Sequence, residues 1–138
     1  MNRADLQSLA EARVEDARVL LANGRYAAAY DLCGYAVECG IKAGVARQIV
    51  AGEYPPDRQY SNDLFSHDRD KLLVRAELVS ALATERAKDS AFRTNWDIVK
   101  EWSESTRYES KNQQDATRLL DAIADPDHGV LRWLRLHW

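Results

Sequence analysis

The chain has 138 residues, a length that fits one domain able to bury its own core without disulfides or metals. Hydrophobic residues make up 46% and charged residues 30%, which is a globular composition and excludes a disordered or fibrous chain. The formal net charge of −3 excludes a strongly basic nucleic-acid-binding protein, so any such binding would depend on a local basic patch.

The two cysteines and the N-terminal residues indicate the cellular compartment. Cys33 and Cys39 lie six positions apart in one predicted helix, which separates their Cα atoms by about 9 Å, too far for a disulfide. We interpret both as small buried hydrophobes. The first residues lack the apolar core of a signal peptide, and no apolar run is long enough to span a bilayer. We therefore expect a cytoplasmic protein without a membrane segment.

The first predicted element is a helix that ends at about Ala22. Its apolar residues recur at helical spacing: Leu6, Leu9, Ala10, Ala17, Leu20 and Leu21. Asn23-Gly24 follows, and a glycine just after a helix is typical of a left-handed C-terminal stop. The pattern predicts a tight turn before the next helix.

The second predicted helix, Tyr26 to Val50, is apolar on most of its surface. Two faces are apolar, and the more continuous one carries Tyr26, Tyr30, Cys33, Val37, Ile41 and Val45. A helix of this kind is central and covered by several neighbours. Its small residues, among them Gly34, Gly40 and Gly44, predict that other helices approach its backbone closely.

Beyond this helix the periodicity stops, and the stretch from Gly52 through Pro55-Pro56 to Phe65 predicts a long connection. Ser66 is the predicted N-cap of a third helix. The apolar stripe of that helix consists of Leu72, Leu73, Ala76, Val79 and Leu82. A fourth helix is predicted from Ser90 to Trp102.

The C-terminal part predicts one more capped helix and a short terminal piece. Ser110 and Gln113 have the spacing of a capping box, and Asp125-Pro126 is expected to end one helix and start another. The aromatic terminus either packs on the first helix or anchors a partner. Together the elements predict an all-α fold, an antiparallel up-and-down bundle of about five helices in one domain, residues 1–138.

Three segments, in this order, resemble the HEPN family. The first runs from Asn23 to Ala43 through small residues and contains Ala36, Glu38, Lys42 and Ala43, similar to the family's A-x-E-x-x-x-K-A helix. The second is His67-Asp68 with Lys71-Leu72, similar to the H-D-L start of the third helix. The third, Trp102 to Glu109, is similar to the W…RY turn before the last helix.

This resemblance implies an HEPN-like antiparallel bundle that forms a homodimer. Relatives sit beside, or are fused to, a minimal nucleotidyltransferase; some members are ribonuclease toxins and others bind nucleotides. The ribonucleases use an arginine followed by a histidine, with four to six residues between them, and the histidine transfers protons near neutral pH. Arg107 occupies the arginine position, but the histidine slots hold Asn112, Gln113 and Gln114. The resemblance thus implies an incomplete ribonuclease site.

Arg132 and His137 also have the ribonuclease spacing. About one such match is expected by chance in a chain of this composition, and this one lies at the C-terminus rather than at the start of the last long helix. We therefore assign it no role.

Arg107 and Tyr108 are the first candidates for ligand binding. A guanidinium can clamp a phosphate, and a phenol can stack on a base or contact a ribose. The alternative is a structural ion pair from Arg107 to Glu104 or Glu38, with Tyr108 in the core.

A polar strip on the central helix is the second candidate. Glu38 and Lys42 stand four residues apart in the favourable order, and Asp31 lies seven residues before Glu38. On a central helix such residues predict a buried network or a cleft lining, although the strip is equally explained as one solvated edge. His67 precedes a helix and is predicted either to contact a phosphate or to serve a structural role such as an N-terminal cap.

The chain has no cluster of residues with metal-ligand spacing, no glycine-rich phosphate loop and no nucleophile turn, so we expect neither a metal nor a cofactor. The leading hypothesis is a non-catalytic HEPN-type module that binds a nucleotide, RNA or a nucleotidyltransferase partner as a homodimer. Two alternatives remain open: a ribonuclease toxin with an atypical active site, and a purely structural helical dimer.

Overall fold

The first two helices form an antiparallel hairpin. Helix α1 spans Arg3–Ala22 and α2 spans Tyr26–Gln48 in the computed structural model, which describes residues 1–49 and 57–138. Gly24 has a φ of 73°, and the amide of Arg25 donates to the carbonyl of Leu20. This is the left-handed stop that the sequence predicts.

The remaining helices are shorter, and several of them pack on α2. They are α3 (Arg58–Leu64), α4 (Arg69–Arg75), α5 (Val79–Lys88), α6 (Ser90–Lys100), a 3₁₀ helix (Glu104–Tyr108), α7 (Gln113–Ala124) and α8 (Val130–Arg135). Helix α2 packs against α1, α4, α7, α8 and the 3₁₀ helix, so its predicted central position is confirmed. The all-α class is also confirmed, although the described part of the chain holds eight α-helices rather than about five.

Glycines of α2 allow neighbouring side chains to lie directly on its backbone. A Cβ atom at Gly34 would overlap the indole ring of Trp102. Gly40 gives the same access to side chains of α8 and the C-terminus. A Cβ atom at Gly44 would lie 3.4 Å from side-chain atoms of Ala76 and Leu78, in the segment that joins α4 to α5. The predicted close approach is therefore confirmed, and a larger residue at Gly34 would displace a buried tryptophan.

The aromatic C-terminus packs within this chain. Trp133 is buried, and its ring centroid lies 5.6 Å from that of Phe92 and 6.1 Å from that of Trp96, both on α6. Cys33 is buried and Cys39 is half-buried, and both are free thiols. No helix in residues 1–49 or 57–138 combines the length and the apolar character needed to cross a bilayer.

The predicted long connection is wrong in its second half. Residues 58–64 form α3, because Asp57 caps the helix by accepting from the amide of Tyr60. Asp63 of α3 then accepts two hydrogen bonds from Arg75 of α4, at 2.6 and 2.8 Å. The first part of that connection, including Pro55-Pro56, and the predicted helix end at Val50 lie outside the described residues.

The predicted third helix is two helices. Glu77 adopts a left-handed conformation with a φ of 57°, and the amide of Leu78 donates to the carbonyl of Leu73. This Schellman-type ending stops α4 before α5 begins. The N-cap of α4 is Asp68 rather than Ser66, because the Asp68 carboxylate accepts from two amides of the first turn.

Other helix boundaries also differ from the prediction. Helix α7 is capped by Asn112 instead of Ser110, in reciprocal hydrogen bonds with Asp115. Helix α6 ends at Lys100, two residues before the predicted end. Helix α8 begins at Val130 instead of Pro126, because the Asp125 carboxylate accepts from the next amides and forms a turn first.

Candidate functional site

Glu38 lies on α2 at the centre of a polar cluster and is only 8% exposed. One carboxylate oxygen accepts a hydrogen bond from Nζ of Lys42, one turn later, at 2.7 Å. Both oxygens lie within 3.1 Å of Nδ1 of His67, which precedes α4. A buried carboxylate is stabilised by such partners, and here the two predicted strip residues form a pair that His67 joins.

The other imidazole nitrogen of His67 is directed toward the 3₁₀ helix. Its Nε2 lies 3.7 Å from Oε1 of Glu104, and the same oxygen lies 3.2 Å from a guanidinium nitrogen of Arg107. Glu104 therefore stands between the imidazole and the guanidinium. The sequence left open that Arg107 forms a structural ion pair instead of binding a ligand. The structure contains this ion pair, and its partner is Glu104 rather than Glu38.

Tyr108 lies on the surface instead of in the core, since 79% of the residue is exposed. The guanidinium carbon of Arg107 lies 4.9 Å from the centroid of the Tyr108 ring, which is a cation–π distance. The Arg107 side chain is itself 44% exposed. The two residues thus present a flat aromatic surface next to a positive charge.

Tyr35 and Trp102 pack beside the imidazole. The Tyr35 ring lies edge-on to His67 at 6.3 Å and to Trp102 at 5.1 Å between centroids. Burial is the largest cause that raises the pKa of Tyr35, and Glu104 raises it further, while Arg107 opposes them. Tyr35 remains a protonated donor at neutral pH. Tyr35 lies four residues after Asp31, and this spacing could have placed it on the same side of α2 as the polar strip.

Asp31 extends the strip toward the N-terminus of α2. Burial raises the pKa of Asp31, and the nearby charges of Arg107 and Lys111 oppose that rise. Nζ of Lys111 lies 4.7 Å from the ring centroid of Tyr30, the residue before Asp31. Asp31 therefore neighbours Arg107 but does not join the hydrogen bonds around Glu38.

Arg69 holds the segment that carries Glu104 and Arg107. Its guanidinium donates, at 3.1 to 3.2 Å, to three backbone carbonyls at the end of α6, those of Val99, Lys100 and Trp102. The last carbonyls of a helix lack their full set of amide partners, so Arg69 acts as a C-terminal cap; the Val99 carbonyl also accepts from the amide of Trp102. Because Arg69 stands two residues after His67, the contact fixes the imidazole relative to the 3₁₀ helix. Nothing in the sequence distinguished this arginine from the others.

The arrangement joins an exposed guanidinium, an exposed phenol, an imidazole and an ammonium along one side of α2. Together these groups can bind a phosphate and stack on a planar ring. Within the described ranges, no group of three or more His, Cys, Asp or Glu side chains is placed to hold a metal ion.

Comparison of the chain with protein-family models, with curated proteins and with solved structures finds no match in any of the three. The resemblance to the HEPN family therefore stays a prediction based on three short segments. The function has to be argued from the geometry of the cluster.

Proposed function

We propose that this protein is a non-catalytic HEPN-type module that binds the phosphate and base of a nucleotide or of RNA. The binding site is the Arg107 surface, which we define as Arg107, Tyr108, His67 and Lys42. The observation that carries the proposal is the exposed Tyr108 ring with the Arg107 guanidinium beside it. This combination is suited to stacking one base while its phosphate is held.

The ion pair between Arg107 and Glu104 leaves the guanidinium accessible to a phosphate. Both side chains are about one-third or more exposed, and half-exposed ion pairs contribute little to stability. A phosphate offers a bidentate, charge-assisted contact that can replace the carboxylate. Carboxylates nearly balance the cations here, so we expect weak binding that falls as salt rises.

The resemblance supports two further parts of the proposal, a homodimer and a nucleotidyltransferase partner. Sedimentation over a range of protein concentrations tests the dimer, and a monomer throughout would contradict it. Co-expression with a nucleotidyltransferase encoded beside this chain, followed by co-purification, tests the partner.

Titration calorimetry with AMP, ATP and a short unstructured RNA, at low and physiological salt, tests ligand binding. We expect Arg107→Ala and Tyr108→Ala each to weaken binding about tenfold or more. Arg13→Ala is a matched control, because Arg13 also forms an i,i+3 ion pair, with Asp16 on α1. It should bind like the unchanged protein. No binding of any of the three ligands, or equal binding by Arg107→Ala, would reject the proposal.

One observation favours the atypical ribonuclease as a second candidate. Although the expected positions lack a histidine, His67 brings an imidazole to the carboxylate that also pairs with Arg107. An imidazole oriented by a buried carboxylate can transfer protons, and a guanidinium can stabilise charge on phosphate. RNA cleavage that both His67→Ala and Arg107→Ala abolish would support this candidate. Cleavage that survives either change would exclude it, as would the absence of cleavage by the unchanged protein.

A further inference from the structure

A small, partly enclosed cavity lies next to the polar cluster and is lined in part by Glu38 and His67. It has a volume of about 10 Å³, which is close to the smallest space that holds one water molecule. Its apolar lining comes from residues of α2, α4 and α6: Gly34, Val37, Leu72 and Val99. Its polar lining comes from Glu38, His67 and Arg69, and the indole of Trp102 completes the wall.

Two of the residues that line this cavity each carry an N–H donor that has no acceptor among the protein groups that the structure describes. The donors are Nε of Arg69 and Nε1 of Trp102, and both atoms are buried. Trp102 is only 5% exposed, so bulk solvent does not reach its indole nitrogen. Burial of an N–H donor without an acceptor is unfavourable, so two such donors beside one small cavity require an explanation.

We propose that one ordered water molecule occupies this cavity and joins Arg69 and Trp102 to the Glu38 carboxylate. A water molecule has two lone pairs and two hydrogens. Its lone pairs accept from Nε–H of Arg69 and Nε1–H of Trp102, and a hydrogen is donated to a carboxylate oxygen of Glu38. These three partners fall within the two to four that buried waters have.

The water links the two anchors of the site. Arg69 caps the end of α6, and Glu38 holds His67. Through the water, the carboxylate gains a third partner besides Lys42 and His67, and its orientation depends on the indole of Trp102. Gly34 is part of this design, because only a residue without a side chain allows the indole to lie on α2.

NMR of the 138-residue chain labelled with ¹⁵N tests the inference without any nucleotide. Its failure would therefore leave the ligand titrations untouched. We expect the indole N–H of Trp102 to show NOE and ROE cross-peaks to water with the opposite signs that mark a bound molecule. A wild-type spectrum without these cross-peaks would overturn the inference.

Two valine-to-isoleucine substitutions distinguish the effect of filling the cavity from the effect of adding volume elsewhere in the core. Val99→Ile adds a methylene group to a residue that lines the cavity, whereas Val14→Ile adds the same group to a buried residue of α1 that does not. We expect the cross-peaks to be lost in Val99→Ile and kept in Val14→Ile, with the remaining spectrum of both proteins that of a folded chain. Cross-peaks that persist in Val99→Ile would place the water elsewhere and contradict the assignment.

Discussion

Two histidine–carboxylate pairs in this protein make the same contact in different settings. Nδ1 of His67 lies 3.0 Å from Glu38, and Nδ1 of His128 lies 2.8 Å from Asp89. The two histidine side chains are almost equally exposed, at 42% and 46%. The carboxylates differ: Glu38 is buried on the central helix, whereas Asp89 is the N-cap of α6 and also accepts from the amide of Phe92.

The groups on the far side of the two imidazoles also differ. The backbone of His128 is bound on both sides, because its amide donates to Asp125 and its carbonyl accepts from Asn95. That pair fastens the turn between α7 and α8 to the start of α6. Beyond His67, in contrast, lie Glu104 and the exposed Arg107. The same contact thus fixes a turn in one region and directs an imidazole toward the Glu104–Arg107 ion pair in the other.

Removing the buried carboxylate should have the largest effect. We expect Glu38→Ala to lower the free energy of unfolding by about 2–3 kcal/mol, because it leaves the partly buried ammonium of Lys42 without its partner. Urea unfolding followed by circular dichroism measures the change.

The variant Glu38→Gln separates the contribution of the carboxylate charge to stability from that of its hydrogen bonds. Glutamine keeps the length and one acceptor oxygen, so we expect a loss of about 1 kcal/mol. If Glu38→Ala cost less than about 0.5 kcal/mol, the carboxylate would have to be solvated, and its contrast with Asp89 would disappear.

Removing the capping carboxylate should have a smaller effect. We expect Asp89→Ala to lower Tm by about 4 °C, because α6 loses its N-cap and His128 loses its partner. Asn2→Ala is the matched control, since it removes the N-cap of α1 but involves no histidine. A larger loss for Asp89→Ala than for Asn2→Ala supports the role of His128 in the turn. Equal decreases in Tm for the two variants would mean that Asp89 stabilises the fold only as an N-cap.

Local chemistry explains how much of the fold could be predicted from sequence. The α1–α2 turn was predictable because Gly24 is the residue that a left-handed stop favours. The same motif ends α4, but there the left-handed residue is Glu77, which carries no such signal. The N-cap of α7 was missed because two overlapping segments fit a capping arrangement. The spacing from Ser110 to Gln113 resembles a capping box, but the reciprocal hydrogen bonds form between Asn112 and Asp115.

The candidate site was predictable where the residue types themselves are unusual. A glutamate on an apolar helix needs a partner, so Glu38 and Lys42 could be identified from spacing alone. That His67 and Arg107 converge on Glu104 depends on the packing of α4 against the end of α6, which Arg69 maintains. One arginine among many gives no sign in the sequence that it caps another helix.

The smallest expected effect is on the pH dependence of stability, which tests the His128–Asp89 pair. The hydrogen bond with Asp89 is the main cause that raises the pKa of His128, and the same bond is the main cause that lowers the pKa of Asp89. A raised histidine pKa stabilises the fold at pH values below the unfolded pKa, about 6.5, and this stabilisation is lost as pH rises through the folded pKa. A lowered aspartate pKa stabilises above about pH 4 and is lost as pH falls through the folded pKa.

The contribution of the pair is therefore greatest between about pH 4 and 6.5. We expect the Tm advantage of the unchanged protein over His128→Gln to be about 2 °C larger at pH 5.5 than at pH 8.5, a small effect because the pair is solvent-exposed. Taking the difference between the two proteins cancels His137, whose pKa is lowered by burial and which acts in the opposite direction. An advantage that stays constant with pH would mean that the charge of the His128 imidazole does not contribute to the stability of the turn, and would contradict the prediction.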